Sequence, residues 1–325
     1  MTFLNDLSPS FVKFCMDLSI CAYTNDFKEN TPNILFKNFD NKISQPVFYI
    51  LNINKSLFIV TRGAASAADF QTILDMSETK TNCGTFHNGF YKAAKFVYNK
   101  VREHFNGNLE DQHPNDEFID KSDNLLESYE NVYFVGHSYG GAVSASLILL
   151  FGNLNYRAVI FGAPPVVDLE HCSMYNKCIA SFVAEHDLIP TLSVPNIANQ
   201  LRARMSSSFE KENLPSEDEM INEFNKLLDS FDTDGVPAGN EVVASLKKAA
   251  PLFIGNVVQL IRERLDKVVR YVPGCVYRIT RESTARLIEC KVNPTDELGI
   301  LSACKSAVAD HPPGSYESCL NALIE

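Results

Sequence analysis

The sequence predicts an α/β fold with a mostly parallel central sheet and helices on both faces. Three observations carry that expectation. Short apolar runs alternate with helix-period stretches between residues 132 and 183, a paired strand signal precedes them at 46–61, and strand signals return at 275–290 after a long helical interval. The chain has 325 residues, 45% of them hydrophobic and 21% charged, so it can bury a large core; that length allows two average domains or one large α/β domain, and a single one spanning 1–325 is the expectation.

The elements follow in order. Residues 10–22 place Phe11, Phe14, Cys15 and Leu18 at helical spacing. Pro46 to Thr61 reads as two strands joined by an Asn54-Lys55 turn, a hairpin. Phe90 to Phe105 reads as a helix, and the acidic stretch Asn106 to Glu130 as a solvated excursion. Then come a strand at 132–135, a buried helix at 142–151, and strands at 157–161 and 178–183. From about 195 to 270 the pattern is helical. Ser216 and Glu219 form a capping box ahead of the apolar face Met220, Ile221, Phe224, Leu227, Leu228 and Phe231, and a second helix is expected over 251–272. Strands are expected again at 275–280 and 286–290.

Charge and cysteine usage narrow the function. Lys plus Arg number 29 against 40 Asp plus Glu, a net charge of −11, which disfavours nucleic acid or an anionic membrane face as partner. Nine cysteines without CxxC or Cys/His metal spacing give no metal framework, though Cys304 and Cys319 could pair. The first ten residues lack a basic, apolar leader, and the longest apolar stretch, 142–151, is too short to span a bilayer. The expectation is a reduced, cytoplasmic protein without a transmembrane segment, or a secreted one if a leader has been removed.

The informative string is Gly136-His137-Ser138-Tyr139-Gly140, with a strand running in and an apolar helix running out. GxSxG in that context makes a strained elbow that exposes the serine hydroxyl at the carboxyl end of a sheet, the two glycines allowing helix and strand backbones to approach. A serine needs a base and an orienting acid. His311, in Asp310-His311-Pro312-Pro313, is the histidine that lies well beyond the candidate acids, whereas His137 beside the nucleophile points elsewhere. Asp187, just past the strand at 178–183, is the expected acid, with Asp168 its competitor and Glu185 third. Oxyanion donors are expected from the N–H of Tyr139, next after the nucleophile, and of Ala64, in the loop after the strand that ends at Thr61. Arg62 is expected to pin that loop through an ion pair.

Together these strings resemble the class 3 lipase family, the fungal-lipase-like branch of the α/β hydrolases. The matching pieces are Thr61-Arg62-Gly63 with Ser66 and Asp69, His87-Asn88-Gly89-Phe90, Gly136 to Gly141, Phe161 to Pro164, His186 to Pro190, Pro273 to Tyr277, and Asp310-His311 with Tyr316. The resemblance implies an α/β-hydrolase fold, hydrolysis of acylglycerol-type lipid esters, no cofactor, Ser138 as nucleophile, Asp187 as acid and His311 as base. It also implies a lid near 65–80 that opens at a lipid surface. Two departures stand out. The family usually has Thr or Ser where this chain has Ala64, so one hydroxyl contact to the oxyanion is missing. And 124 residues separate the acid from the base, leaving 195–270 as a helical insertion.

That insertion holds Asp232, Asp234 and Glu241 in a calcium-loop-like pattern whose first ligand position is Ser230. A polar connector between helices is the preferred reading, with calcium as the alternative. The expected function is a serine carboxylic-ester hydrolase of the lipase type. The rivals are a phospholipase A1, a soluble-ester esterase, and a lipase-like binding or signalling protein with an inert triad.

Overall fold

The computed structural model describes residues 7–27, 33–106, 126, 128–205, 213–231, 237–263, 268–269, 271–281, 288–289 and 304–324. In chain order these form α1 (Pro9–Thr24), β1 (Asn33–Asn38), β2 (Phe48–Ile53), β3 (Ser56–Thr61), α2 (Ala67–Ile73), β4 (Glu78–Thr81), β5 (Gly84–His87), α3 (Asn88–Asn106) and β6 (Asn131–His137). There follow α4 (Tyr139–Phe151), β7 (Arg157–Phe161), α5 (Leu169–Met174), β8 (Ile179–Ala184), a 3-10 turn at Ile189–Thr191, α6 (Val194–Met205), α7 (Glu217–Asp229) and α8 (Pro237–Arg262). The last elements are β9 (Cys275–Ile279), β10 (Ile288–Glu289) and α9 (Pro313–Ile324).

Eight strands form the main sheet in the order β1-β2-β3-β6-β7-β8-β9-β10. The pairs from β3 to β9 are parallel, and antiparallel pairs close both edges. The expected hairpin is β2–β3, and its turn residues Asn54 and Lys55 both have positive φ (51° and 66°), the twist that suits a two-residue hairpin. β8 is buried at every residue, as a strand covered on both faces must be. On one face α3 and α4 pack with Phe134, Ile160 and Val183; on the other, α1 and α9 pack with Phe58, Val135 and Phe182. A third apolar core joins α6, α7 and α8.

Several expectations shift. The second helix of the insertion is not 251–272: α8 begins at Pro237 and ends at Arg262, and Pro251 lies inside it. Proline there gives up one backbone donor, so the sequence signal suggested a start where packing carries the helix through. At 286–290 only Ile288 and Glu289 are described as strand. Cys304 and Cys319 are free thiols. The edge strand β1, the small β4–β5 sheet and the short helices α2 and α5 were not foreseen. Most of the acidic excursion, with Asp232 and Asp234, lies outside the described residues. No helix among the described residues is long and apolar enough to cross a membrane, and none of their side chains cluster as a metal site.

Candidate active site

The parallel strands deliver their loops to one end of the sheet. β6 runs into Ser138, which sits at φ 56° and ψ −126° at the head of α4. That left-handed conformation is costly for a residue with Cβ, and neighbouring glycines make room for it. A Cβ on Gly136 would lie 2.4 Å from the Gly140 backbone, and one on Gly140 would lie 2.1 Å from the Thr61 carbonyl oxygen. Ser138 precedes the helix yet makes no capping bond with its side chain, so Oγ is left for another partner.

That partner is His311. Its Nε2 lies 2.9 Å from Ser138 Oγ, and its Nδ1 lies 2.9 and 3.1 Å from the two Asp187 oxygens. Because the carboxylate can only accept, Nδ1 carries the proton and Nε2 is the acceptor for the serine hydroxyl. Asp187 is 1% exposed and its charge is met by further donors: the Tyr316 hydroxyl at 2.5 Å and the Ile189 N–H at 2.9 Å. Burial and the adjacent Asp187 charge push the Tyr316 phenol well above its ordinary range, so it remains a donor.

The loops that carry Asp187 and His311 are also tied to each other. Leu188 N–H donates to the Ala307 carbonyl, and His186 N–H to the buried Asp310 carboxylate, which also accepts from Ser306 Oγ at 2.9 Å and pairs with Arg281 at 3.1 Å. Burial raises the Asp310 carboxyl; the Ser306 bond and the Arg281 charge partly offset it. The rival acids are committed elsewhere. Asp168 caps α5 through His171 N–H, bonds the His171 ring and accepts from Thr85 N–H. Glu185 accepts from Arg281 N–H.

The loop after β3 is held as expected. Arg62 pairs with buried Asp69 at 2.9 Å, and the same Asp69 oxygen accepts from the N–H groups of Ala65 and Ser66. Ser66 and Asp69 also form a capping box on α2. Ala64 and Tyr139 then line one cavity with Ser138 and His311. Tyr139 is the first residue of α4, where an N–H has no carbonyl one turn back and the helix end is positive.

The cavity holds about 560 Å³, within the range of small-molecule sites. Its walls are mainly apolar: Phe70, Ile73 and Leu74 from the expected lid segment, Phe90 from α3, and Val242, Leu246 and Phe253 from α8. Among the described residues Glu78 and Glu241 are its charged lining residues, with no Lys or Arg. Glu78 accepts from the N–H groups of Val268 and Val269, tethering the return from the insertion to β4.

Residues 58–197 match the model of the family described as lipase (class 3). This segment is thus similar to the class 3 lipase family. No curated protein matches the chain. A deletion mutant of Rhizomucor miehei lipase in its propeptide complex is similar to the chain at a TM-score of 0.56 and 16% identity, over 98% of this chain and 80% of that one. The native Rhizomucor miehei lipase propeptide complex is similar at a TM-score of 0.44 and 19% identity, over 56% of this chain and 62% of that one. A mono- and diacylglycerol lipase from Aspergillus oryzae is similar at 0.44 and 18% identity, over 57% and 74%. The near-complete overlap with the first of these, together with the segment that matches the class 3 lipase model, gives the chain an α/β-hydrolase fold.

Sequence reading assigned no role to Tyr316, Asp310 or Tyr23, which support the triad from behind. Tyr316 and Tyr23 gain such a role only through partners more than a hundred residues away, Asp187 and His137. The resemblance drew attention to Tyr316, but not to what it touches.

Proposed function

We propose that the chain is a serine carboxylic-ester hydrolase, a lipase acting on uncharged acylglycerol-type esters without a cofactor. The observation that carries this reading is the unbroken hydrogen-bond chain Ser138–His311–Asp187 opening on an apolar cavity. In this reading Ser138 Oγ attacks the acyl carbonyl while His311 Nε2 takes its proton. The N–H groups of Tyr139 and Ala64 receive the oxyanion, and His311 returns the proton to the departing alcohol. Water, activated by the same imidazole, then releases the acid from the acyl-enzyme.

Two features support an uncharged head group over an anionic phospholipid. Among the described residues the cavity lining carries two carboxylates and no Lys or Arg, and the whole chain bears −11. Glu241 is exposed and lines that cavity, where a phosphate would meet like charge. An assembled triad also supports catalysis over an inert binding role, because an inert site has no need to hold a buried carboxylate against an imidazole.

The test is labelling by a fluorophosphonate together with hydrolysis of p-nitrophenyl butyrate and of diacylglycerol. Ser138→Ala should abolish label and turnover while unfolding at the wild-type temperature. A variant with wild-type turnover would overturn the assignment.

A further inference from the structure

His137 is the last residue of β6, directly ahead of Ser138 in the elbow, and is 1% exposed. Its ring has two partners. Nε2 lies 2.9 Å from the backbone carbonyl oxygen of His311, and Nδ1 lies 2.9 Å from the Tyr23 hydroxyl. A carbonyl can only accept, so Nε2 carries the proton, and the neutral ring then accepts the Tyr23 O–H at Nδ1. Burial first, and the neighbouring His311 second, hold the His137 imidazole well below its ordinary range, which keeps that tautomer neutral. Its ring centroid stands 4.9 Å from that of His311. Tyr23 in turn rests on the oxyanion loop: a Cβ on Gly63 would fall 1.7 Å from its hydroxyl oxygen.

We infer that His137 is a positioning residue: with Tyr23 it fixes the backbone of the base, His311, relative to the nucleophile elbow and the oxyanion loop. This rests on the hydrolase reading of the same site. The physical need is specific. His311 is supplied by a loop 173 residues from Ser138, and its ring must stay aligned with Oγ while it gains and loses a proton. Its side chain is oriented by Asp187, but its main chain needs a separate anchor. The His137 N–H supplies one from the strand that carries the nucleophile. Neutrality matters too, since a second imidazolium at this ring distance would oppose charge forming on His311.

The experiment compares His137→Gln, His137→Leu and Tyr23→Phe with wild type on p-nitrophenyl butyrate, alongside the rate of fluorophosphonate labelling and thermal unfolding. Gln keeps an N–H donor within reach of the carbonyl; Leu keeps volume and loses the donor. The expected result is a roughly 10- to 100-fold fall in kcat and labelling rate for Leu, the scale of a misplaced catalytic group, with KM unchanged. Gln should recover most of that loss, and Tyr23→Phe should lower kcat several-fold. Equal kcat for the Gln and Leu variants, or a change confined to KM, overturns the positioning role. Should the Leu variant fail to fold, Tyr23→Phe decides: unchanged kcat overturns the inference. A wild type that neither labels nor turns over ester overturns the hydrolase reading and this role with it. A labelled wild type with indifferent variants overturns this role alone.

Discussion

Tyr316→Phe isolates one hydrogen bond in the buried half of the triad. Phenylalanine keeps the ring against Phe161 and His137 and removes only the hydroxyl that donates to Asp187 at 2.5 Å. A bond to a charged, buried acceptor contributes about 1.5–3 kcal/mol, against about 0.5–1.5 kcal/mol for a neutral one. The substitution should therefore lower the free energy of unfolding at pH 7 by about 2 kcal/mol. With a urea slope near the upper end of the ~1–3 kcal/mol/M range, the midpoint should fall by roughly 0.5–1 M. Repeating the change in an Asp187→Asn background supplies the control, because the amide oxygen still accepts but carries no charge. The cost of Tyr316→Phe should then drop to about 1 kcal/mol, leaving a coupling of about 1 kcal/mol between the two sites. Equal costs in both backgrounds, measured by urea unfolding, would refute the idea that Tyr316 acts on the Asp187 charge.

Other outcomes follow from the same geometry. Gly140→Ala puts a Cβ 2.1 Å from the Thr61 carbonyl and 2.8 Å from the Arg62 backbone, so labelling should slow by about 10²-fold; a normal rate would show that the elbow can yield. Ala64→Ser adds a hydroxyl where the cavity offers only an N–H, and kcat on p-nitrophenyl butyrate should rise by up to about 10²-fold; no rise would mean the oxyanion does not form there. Diacylglycerol should be cleaved at least about tenfold faster than phosphatidylglycerol at low salt, with the gap narrowing as salt rises; a preference for the anionic lipid would overturn the reading of Glu241 and Glu78. At Asp168, burial works to raise the carboxyl, but bonds from His171 and Thr85 together outweigh it and hold it below the ordinary range. A lowered native value means stability that is fully present above the unfolded carboxylate value of about 3.9 and lost as pH falls through the native one. Wild type should thus lose its advantage over Asp168→Asn below about pH 4, and urea midpoints differing equally at pH 6 and pH 3 would count against it.

What could be read from the sequence was whatever a local rule fixes. The elbow combined a strand, a GxSxG and an apolar helix within twenty residues, each element confirming the next, and Ser138 follows from it. The Asn54-Lys55 hairpin and the Ser216 capping box were equally local. Asp187 and His311 could be chosen because chain order and strand ends restrict the options. The misses share a different character. β1 has a mixed burial pattern at a sheet edge, and β4 and β5 have four residues each, too few to display a period. The start of α8 was misplaced because Pro251, read as a beginning, is carried inside a long packed helix. Tyr23 and Asp310 gain meaning only from partners distant in sequence, His137 for one and His186 with Arg281 for the other.

The long separation of acid and base is best understood through the third apolar core. Extending a loop costs little, because closure entropy grows only by about 0.6 kcal/mol for each doubling of length. What a longer connection endangers is the relative placement of its ends. Here the inserted helices α6, α7 and α8 share their core with Leu188, which follows Asp187 by one residue, and with Ala307 and Val308, just ahead of His311. Met76, within the expected lid segment, belongs to the same cluster. Burying side chains the size of Leu188, Val308 and Met76 stabilises by about 1.5–3 kcal/mol each, more than the added closure cost. The insertion therefore does two things with one set of helices. It walls the cavity with Val242, Leu246 and Phe253, and it clamps the acid loop to the base loop where Leu188 N–H meets the Ala307 carbonyl. A segment that reads in the sequence as an interruption of the catalytic order is, in the folded chain, what holds that order together.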